Sequence, residues 1–511
     1  MKYDLIIIGG GHNGLTTAAL QARRGRQVLV VEARKELGGL AAGTTFHPGY
    51  RTTGILHDSS LVRSSVVDGI GLRSHGLRRR SEPTAVFAPQ AEGPGLLLHR
   101  EPEQAHDELV AHSSKDAERY AAMRAFEGRL RDYLRSIFDS APPTIAPHGI
   151  GQHLELFKKG WGLRKLGRET MAECLRIGPM SIRDWLDEYF ESDLLKAALA
   201  APSLTAGFCG PYAAGTTALT LMQDCLAENE IEGGPAALVA ALVSACQQQG
   251  VTLRTDAKVQ RIVVHNGKAQ AIELQGGEQI EAGAIASSID PRQTFLGLIE
   301  PGEVPPGVLE TMPNWRCRGT TAKLHLALNG PLEFSSRPGE LFEAIRIGEN
   351  LTELERASDC AKYRTLPEQP LLDIRVPTVA DKSLAPEGHH VASILVHFAP
   401  YDLDGGWSDA RKDELLQHCL GRLSSVALSC RDRIVGHELL TPVDLEQQYG
   451  LTGGHLYHGE HGLDQLLSLR PHARCARYAT EIEGLYLCGS GSHPGGGISG
   501  APGMLAAAAI R

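Results

Sequence analysis

The 511-residue chain lacks several features that would announce a function. Its ten cysteines include no C-x-x-C pair, which argues against a thioredoxin-type centre, a zinc ribbon or a dense disulfide framework. They read instead as small buried hydrophobes. No histidines have metal-ligand spacing such as H-E-x-x-H, so no metal is expected. Excess base is missing as well: 51 Lys+Arg stand against 60 Asp+Glu, a net charge of −9, which excludes nucleic acid as the main partner. No run reaches the roughly 18 apolar residues of a membrane-spanning helix. The most apolar stretch, residues 194–210, is broken by Lys196, Pro202, Ser203 and Thr205. It reads as a buried core helix, with a substrate-tunnel lining or a monotopic membrane contact as alternatives. The start, Met1-Lys2-Tyr3-Asp4 before a short apolar run, lacks the apolar stretch and cleavage site of a signal peptide. The expectation is an intracellular chain, cytoplasmic or peripherally membrane-associated.

Glycine, by contrast, is abundant, with 57 residues in 511 where about 7% is usual. At this length the chain holds about two domains' worth of core, since single cores stop growing near ~250–300 residues.

The first glycine cluster has a physical reading. Residues 3–8 form a short apolar, β-branched run that predicts a buried parallel strand. Gly9-Gly10-Gly11-His12-Asn13-Gly14 is G-x-G-x-x-G, residues 15–24 have helical periodicity, and residues 27–31 predict a second strand ending at Glu32. In such a βαβ unit Gly9 permits the tight turn, Gly11 lets backbone approach a pyrophosphate, and Gly14 allows close helix–strand packing. Glu32 is placed to accept hydrogen bonds from ribose hydroxyls. Dinucleotide binding follows.

The segment after it, Arg34-Lys35-Glu36-Leu37-Gly38-Gly39, adds a Gly pair that can fold back over the diphosphate of an extended dinucleotide. Here the sequence resembles the FAD-dependent amine oxidase and phytoene desaturase superfamily. Glu32, Arg34, Gly38 and Gly39 match its extended flavin fingerprint, and the resemblance implies buried FAD rather than a dissociable NAD. Two distant segments are similar to further parts of that pattern. Gly233-Gly234-Pro235 opens a helix–strand–strand–strand unit, where the resemblance implies backbone contact from Val259 to the adenine end. Near the C-terminus seven of the fifteen residues from Gly489 to Gly503 are glycine. There the resemblance implies Gly489 and Ser490 near the diphosphate, with Ile498, Ser499 and their neighbours under the isoalloxazine.

Residues 371–377, 399–401, 441–446, 453–460, 463–465 and 469–471 resemble, more narrowly, the CrtO-type carotene ketolases and the pyridine nucleotide-disulfide oxidoreductase domain-containing protein 2 group. The implied fold is α/β: a Rossmann-like FAD-binding domain of the GR2/amine-oxidase type with a discontinuous α+β substrate domain. The predicted division is 1–75, 232–300 and 470–511 for FAD binding, and 76–231 with 301–469 for the substrate-binding cap. Residues 115–138 are strongly amphipathic, and 323–328 and 391–397 predict cap strands.

The implied activity is a FAD-dependent, phytoene dehydrogenase-like transfer of hydride between flavin and a hydrophobic substrate, of carotenoid or other isoprenoid type. The alternatives are an amine oxidase, for which 5% aromatics offer little material for a cage, and a non-catalytic flavoprotein. The electron acceptor is left open among oxygen, a quinone or another carrier, as are peripheral membrane contact and a homodimer. His493, Tyr457 and His458 are the candidate catalytic residues, since their loops are expected beside the flavin. His57, Asp58, Asp373 and Arg375 are weaker candidates, the last two being alternate residues on one predicted strand.

Overall fold

A computed structural model describes residues 2–147 and 149–511. Its first sheet runs, in spatial order, through Thr252–Arg254, Val28–Val31, Tyr3–Ile8, Gln279–Ser287, Lys268–Leu274 and Val259–His265, with Leu485–Leu487 also paired to Gln279–Ser287. The Tyr3–Ile8 strand is parallel to Val28–Val31 on one side and to the end of Gln279–Ser287 on the other. That last strand is the junction. Its start pairs antiparallel with Lys268–Leu274, while its end pairs in parallel with Leu485–Leu487. Three remote stretches of chain therefore meet at the carboxyl ends of parallel strands, where open α/β sheets bind ligands.

Alternate residues of the central strand enter different cores, as its twofold side-chain period requires. Leu5 and Ile7 pack with Leu15, Ala18, Leu238, Leu242 and Ala506, from the helices His12–Ala22, Gly234–Gln248 and Ala501–Ala509. Ile6 and Ile8 pack with Val259, Ile262, Ile272 and Phe295 on the opposite face. Each such fully buried side chain contributes about 1.5–3 kcal/mol. The first helix begins at His12, inside the glycine motif, and the last at Ala501, inside the C-terminal glycine cluster.

The second sheet is ordered Ile434–Leu440, Thr321–Leu328, His390–His397, Leu372–Arg375, Ala344–Ile347, Val86–Ala88, Leu96–Leu98. It is antiparallel except between Ala344–Ile347 and Val86–Ala88. Every residue of Thr321–Leu328 is buried, including the polar Lys323 and His325. A helical layer packs at the Val86–Ala88 and Leu96–Leu98 end of the sheet, with Ser114–Phe138, Ile182–Tyr189, Asp193–Ala200 and Thr216–Leu226 sharing one apolar core with Ala88, Leu96 and Leu98. Apart from half-buried Lys196, residues 194–201 are buried there, so this part of the 194–210 stretch is core. Among the described residues no helix is long and apolar enough to cross a membrane.

Candidate active site

A groove of about 540 Å³ crosses the carboxyl ends of the first sheet. One end is lined by Glu32, Ala33, Arg34 and residues 257–259, the middle by Gly9, Gly11, Gly39 and Ser490, and the other end by Leu56, Leu456 and His458. The three glycines of the first motif do different work. Gly9 holds φ +94°, a left-handed value that glycine reaches without cost. A Cβ on Gly11 would meet no protein atom within 4 Å and would stand in the groove, while one on Gly14 would fall 2.2 Å from the Gly9 carbonyl oxygen. Gly38 donates its N–H to the Gly10 carbonyl at 2.8 Å, which folds the second Gly pair over the first loop.

Glu32 organises this end. Its carboxylate accepts the N–H of Gly10 at 2.8 Å and of Arg34 at 2.9 Å, and still faces the groove. The Arg34 guanidinium lies 4.1 Å from the centre of the Tyr449 ring. Tyr449 belongs to the helix Pro442–Tyr449, started by a reciprocal capping box between Thr441 and Asp444. Ser490 accepts from the Asn13 amide at 3.1 Å. Gly489 lies behind it, where a Cβ would sit 2.3 Å from the Ser288 carbonyl oxygen.

The groove fits FAD on its own terms. It has an acid at the end of the second strand, a Gly11 cradle that a side chain would fill and a helix N-terminus at His12. Buried polar atoms without a protein partner, His12 Nε2, Asn13 Oδ1 and His458 Nδ1, belong to residues that line it.

Tyr457 and His458 are neighbours but serve different spaces. His458, at φ +56°, lines the groove, and burial pushes its imidazole down to about 3. Tyr457 lines a separate chamber of about 40 Å³ with Leu56, His57, Asp58, Asp373, Arg375 and Ile498. Ser499 lines a third space of about 30 Å³, mostly apolar, with Leu61, Phe138, Leu219, Met222 and Leu226. Leu61 and Gln223 border both chambers, so the two adjoin. His493 lines none of these spaces. Its ring stacks on Phe138 at 5.7 Å between centroids and Nε2 meets the Ile137 carbonyl at 3.3 Å, which is a packing role.

The polar chamber gathers the weaker candidates of the sequence, and behind His57 lies Lys323, which sequence reasoning missed. His57 Nδ1 lies 3.1 Å from the Nζ of Lys323, and His57 Nε2 lies 3.8 Å from an Asp373 oxygen. Arg346 Nε approaches the other Asp373 oxygen at 3.9 Å. Arg375 pairs with Glu230 at 2.7 Å rather than with Asp373. Lys323 is fully buried, and loss of hydration, reinforced by Arg375 and opposed by Asp373, brings its amine down to about 7. Burial, aided by Lys323 and Arg375, also pushes His57 well below the ordinary imidazole range. A lysine that is half neutral near pH 7, bonded to a neutral imidazole, is a proton-accepting set. A lysine in a strand where apolar residues stand on both faces, as in Thr321–Leu328, is the signal that could have revealed Lys323.

Buried Arg470 ties the loops together. Its guanidinium donates to the carbonyls of Tyr457 at 2.9 Å, Gly459 at 3.2 Å and Ser490 at 2.8 Å. The loops that carry Tyr457, His458 and Ser490 thus hang on one cation.

Comparison with known proteins agrees with this geometry. The flavin containing amine oxidoreductase family matches residues 14–510. The rat pyridine nucleotide-disulfide oxidoreductase domain-containing protein 2 is 30% identical, over 99% of this chain and 93% of that one. One of the subunits of limonene dehydrogenase from Castellaniella defragrans is 26% identical, over 99% and 94%. Among solved structures, cyclohexylamine oxidase from Brevibacterium oxydans shares the fold with a TM-score of 0.60, at 15% identity over 99% and 98% of the chains. The chain belongs to the flavin-containing amine oxidoreductase family and is a FAD-dependent oxidoreductase.

Proposed function

We propose that this oxidoreductase dehydrogenates a compact substrate that has an apolar body and one polar end. The observation that carries the reading is the adjoining of two small chambers beside Tyr457 and Ile498. One is walled by Leu61, Phe138, Leu219, Met222 and Leu226, the other by His57, Asp58, Asp373 and Arg375. FAD, when bound, supplies the two-electron acceptor for a hydride leaving the substrate. The chain's own part is positioning, exclusion of water and removal of the compensating proton. The proton from the adjacent atom passes to His57, whose other nitrogen faces Lys323. Neutral Lys323 takes up the charge, and Asp373 lies nearby to offset it.

In reaction type this is phytoene dehydrogenase-like, with one C–H hydride and one proton lost and a double bond formed. The limonene dehydrogenase relative supports an isoprenoid as the apolar body. A second reading, amine oxidation, draws on Asp58 and Asp373, which line the polar chamber and could receive an ammonium.

The test is anaerobic bleaching of the FAD-loaded protein by a panel of monoterpenes and terpene alcohols, lycopene, phytoene and primary amines. Oxygen or a quinone is then admitted to identify the reoxidant. Bleaching by compact terpenoids supports the reading, and bleaching by amines alone transfers it to the second. Bleaching confined to lycopene or phytoene, or by nothing in the panel, overturns both.

A further inference from the structure

Residues 145–175 carry a concentration of exposed large apolar side chains that the oxidoreductase site does not use. The helix Ile150–Lys165 buries no residue fully. Ile150, Leu154, Phe157 and Trp161 recur at i, i+4, i+7 and i+11, one narrow stripe of a 3.6-residue period. They are 90%, 49%, 62% and 52% exposed. The Phe157 and Trp161 rings stack, with centroids 6.0 Å apart. Ile145 and Leu175, outside the helix, are exposed as well.

The opposite face of the helix holds it to the protein. Lys159 donates to the Ser140 hydroxyl at 2.7 Å and to the Ser136 carbonyl, Gly162 lies over Tyr133, and Glu155 pairs with Arg477 at 3.1 Å. The apolar stripe therefore points away from the body by construction. At helical spacing Lys158 and Lys165 flank it on one side and Arg164 on the other, and all three are exposed. With Lys159 the helix has four bases and one acid, Glu155, in a chain whose net charge is −9. An apolar stripe with Trp and Phe, edged by Lys and Arg, matches a helix lying in a bilayer interface with its bases at the headgroups.

We propose that the helix Ile150–Lys165 is a membrane-docking element that seats on an anionic phospholipid surface. Charge selects this occupant, because the basic edges complement anionic headgroups whereas the rest of the chain is acidic. The helix also rests on residues 136–140, beside Phe138, a wall of the apolar chamber. Docking would set that chamber close to the lipid phase. The proposal goes beyond the substrate reading and does not depend on it.

The experiment is flotation of the FAD-loaded protein with vesicles of phosphatidylcholine alone and of phosphatidylcholine mixed with phosphatidylglycerol. Wild type should float with the anionic vesicles, release as salt rises, and show a blue shift in tryptophan emission. Phe157→Ser/Trp161→Ser should weaken the association by about tenfold or more, with FAD content and melting temperature kept. Lys158→Glu/Lys165→Glu should abolish the preference for anionic lipid. No flotation of wild type, or equal flotation of either variant, would overturn the proposal. So would a dimer that Phe157→Ser/Trp161→Ser converts to monomer without any vesicle binding, since the stripe would then belong to a second copy of the chain.

Discussion

Lys323 loses its hydration inside the second sheet, and its amine falls to about 7, so its protonation state changes near neutral pH. As proton acceptor it must be neutral, which holds above that value. Substrate-dependent bleaching is therefore expected to accelerate as pH rises through about 7 and then level off. Lys323→Met should slow it by about 10²–10⁴-fold and flatten the profile, measured by anaerobic stopped-flow absorbance. The same variant should be no less stable than wild type, because burying an ammonium costs folding energy. A destabilised variant with an unchanged pH profile would return Lys323 to a structural role. At this scale the glycine, Glu32 and Arg34 positions were legible, since each answers to a local backbone or hydrogen-bonding demand. Lys323 and His57 were not legible as a pair. They are 266 residues apart, and meet only where a loop of the N-terminal segment packs against a cap strand, which local periodicity cannot register. Nor does lying in the glycine-rich loop fix which way the His493 ring turns: it stacks on Phe138.

The loops of the site are held by single groups rather than by regular structure. Arg470 is the clearest case, with one buried guanidinium donating to the carbonyls of Tyr457, Gly459, Glu460, Gln465 and Ser490. Arg470→Ala strips those carbonyls of this donor, the Glu460 carbonyl keeping the Gln465 amide, and each one left buried and unpaired costs about 1–3 kcal/mol before relaxation. It should lower the melting temperature sharply and release FAD, read by calorimetry and by flavin absorbance after gel filtration. Stable, FAD-loaded Arg470→Ala would contradict this arrangement. The strands and helices of the βαβ unit were readable to within a few residues because local periodicity dictates them. The groove wall built by the helix Pro442–Tyr449 was not, since nothing local to Tyr449 shows that Arg34 will lie over it.

Across the whole molecule the notable quantity is the number of buried neutral histidines. Burial lowers His12, His397, His455 and His493 to about 4, and His458 to about 3. In the unfolded chain each would protonate near 6.5. Between those values the unfolded state binds more protons than the folded one, so stability rises with pH across the window and is lost as pH falls from about 6.5 to about 4. One such histidine corresponds to about 3 kcal/mol at the acid end. Melting temperature measured against pH should fall steeply across that range. A flat profile would mean that these rings take up protons while folded. The interleaving of the two sheets was foreshadowed by the separated glycine clusters, but the closeness of the polar and apolar chambers was not, because it depends on how the cap closes over the groove.

The central claim, a groove built for FAD, rests on the contrast between Gly11 and Gly14. A Cβ at Gly11 meets no protein atom within 4 Å and stands in the groove, whereas one at Gly14 strikes the Gly9 carbonyl. The decisive measurement is FAD released by denaturing purified protein, set beside its melting temperature. The account predicts about one FAD per chain in wild type. Gly11→Val should fold without FAD and keep the stability of the stripped wild type, while Gly14→Val should be destabilised even against that reference. Full FAD occupancy in Gly11→Val would contradict the account.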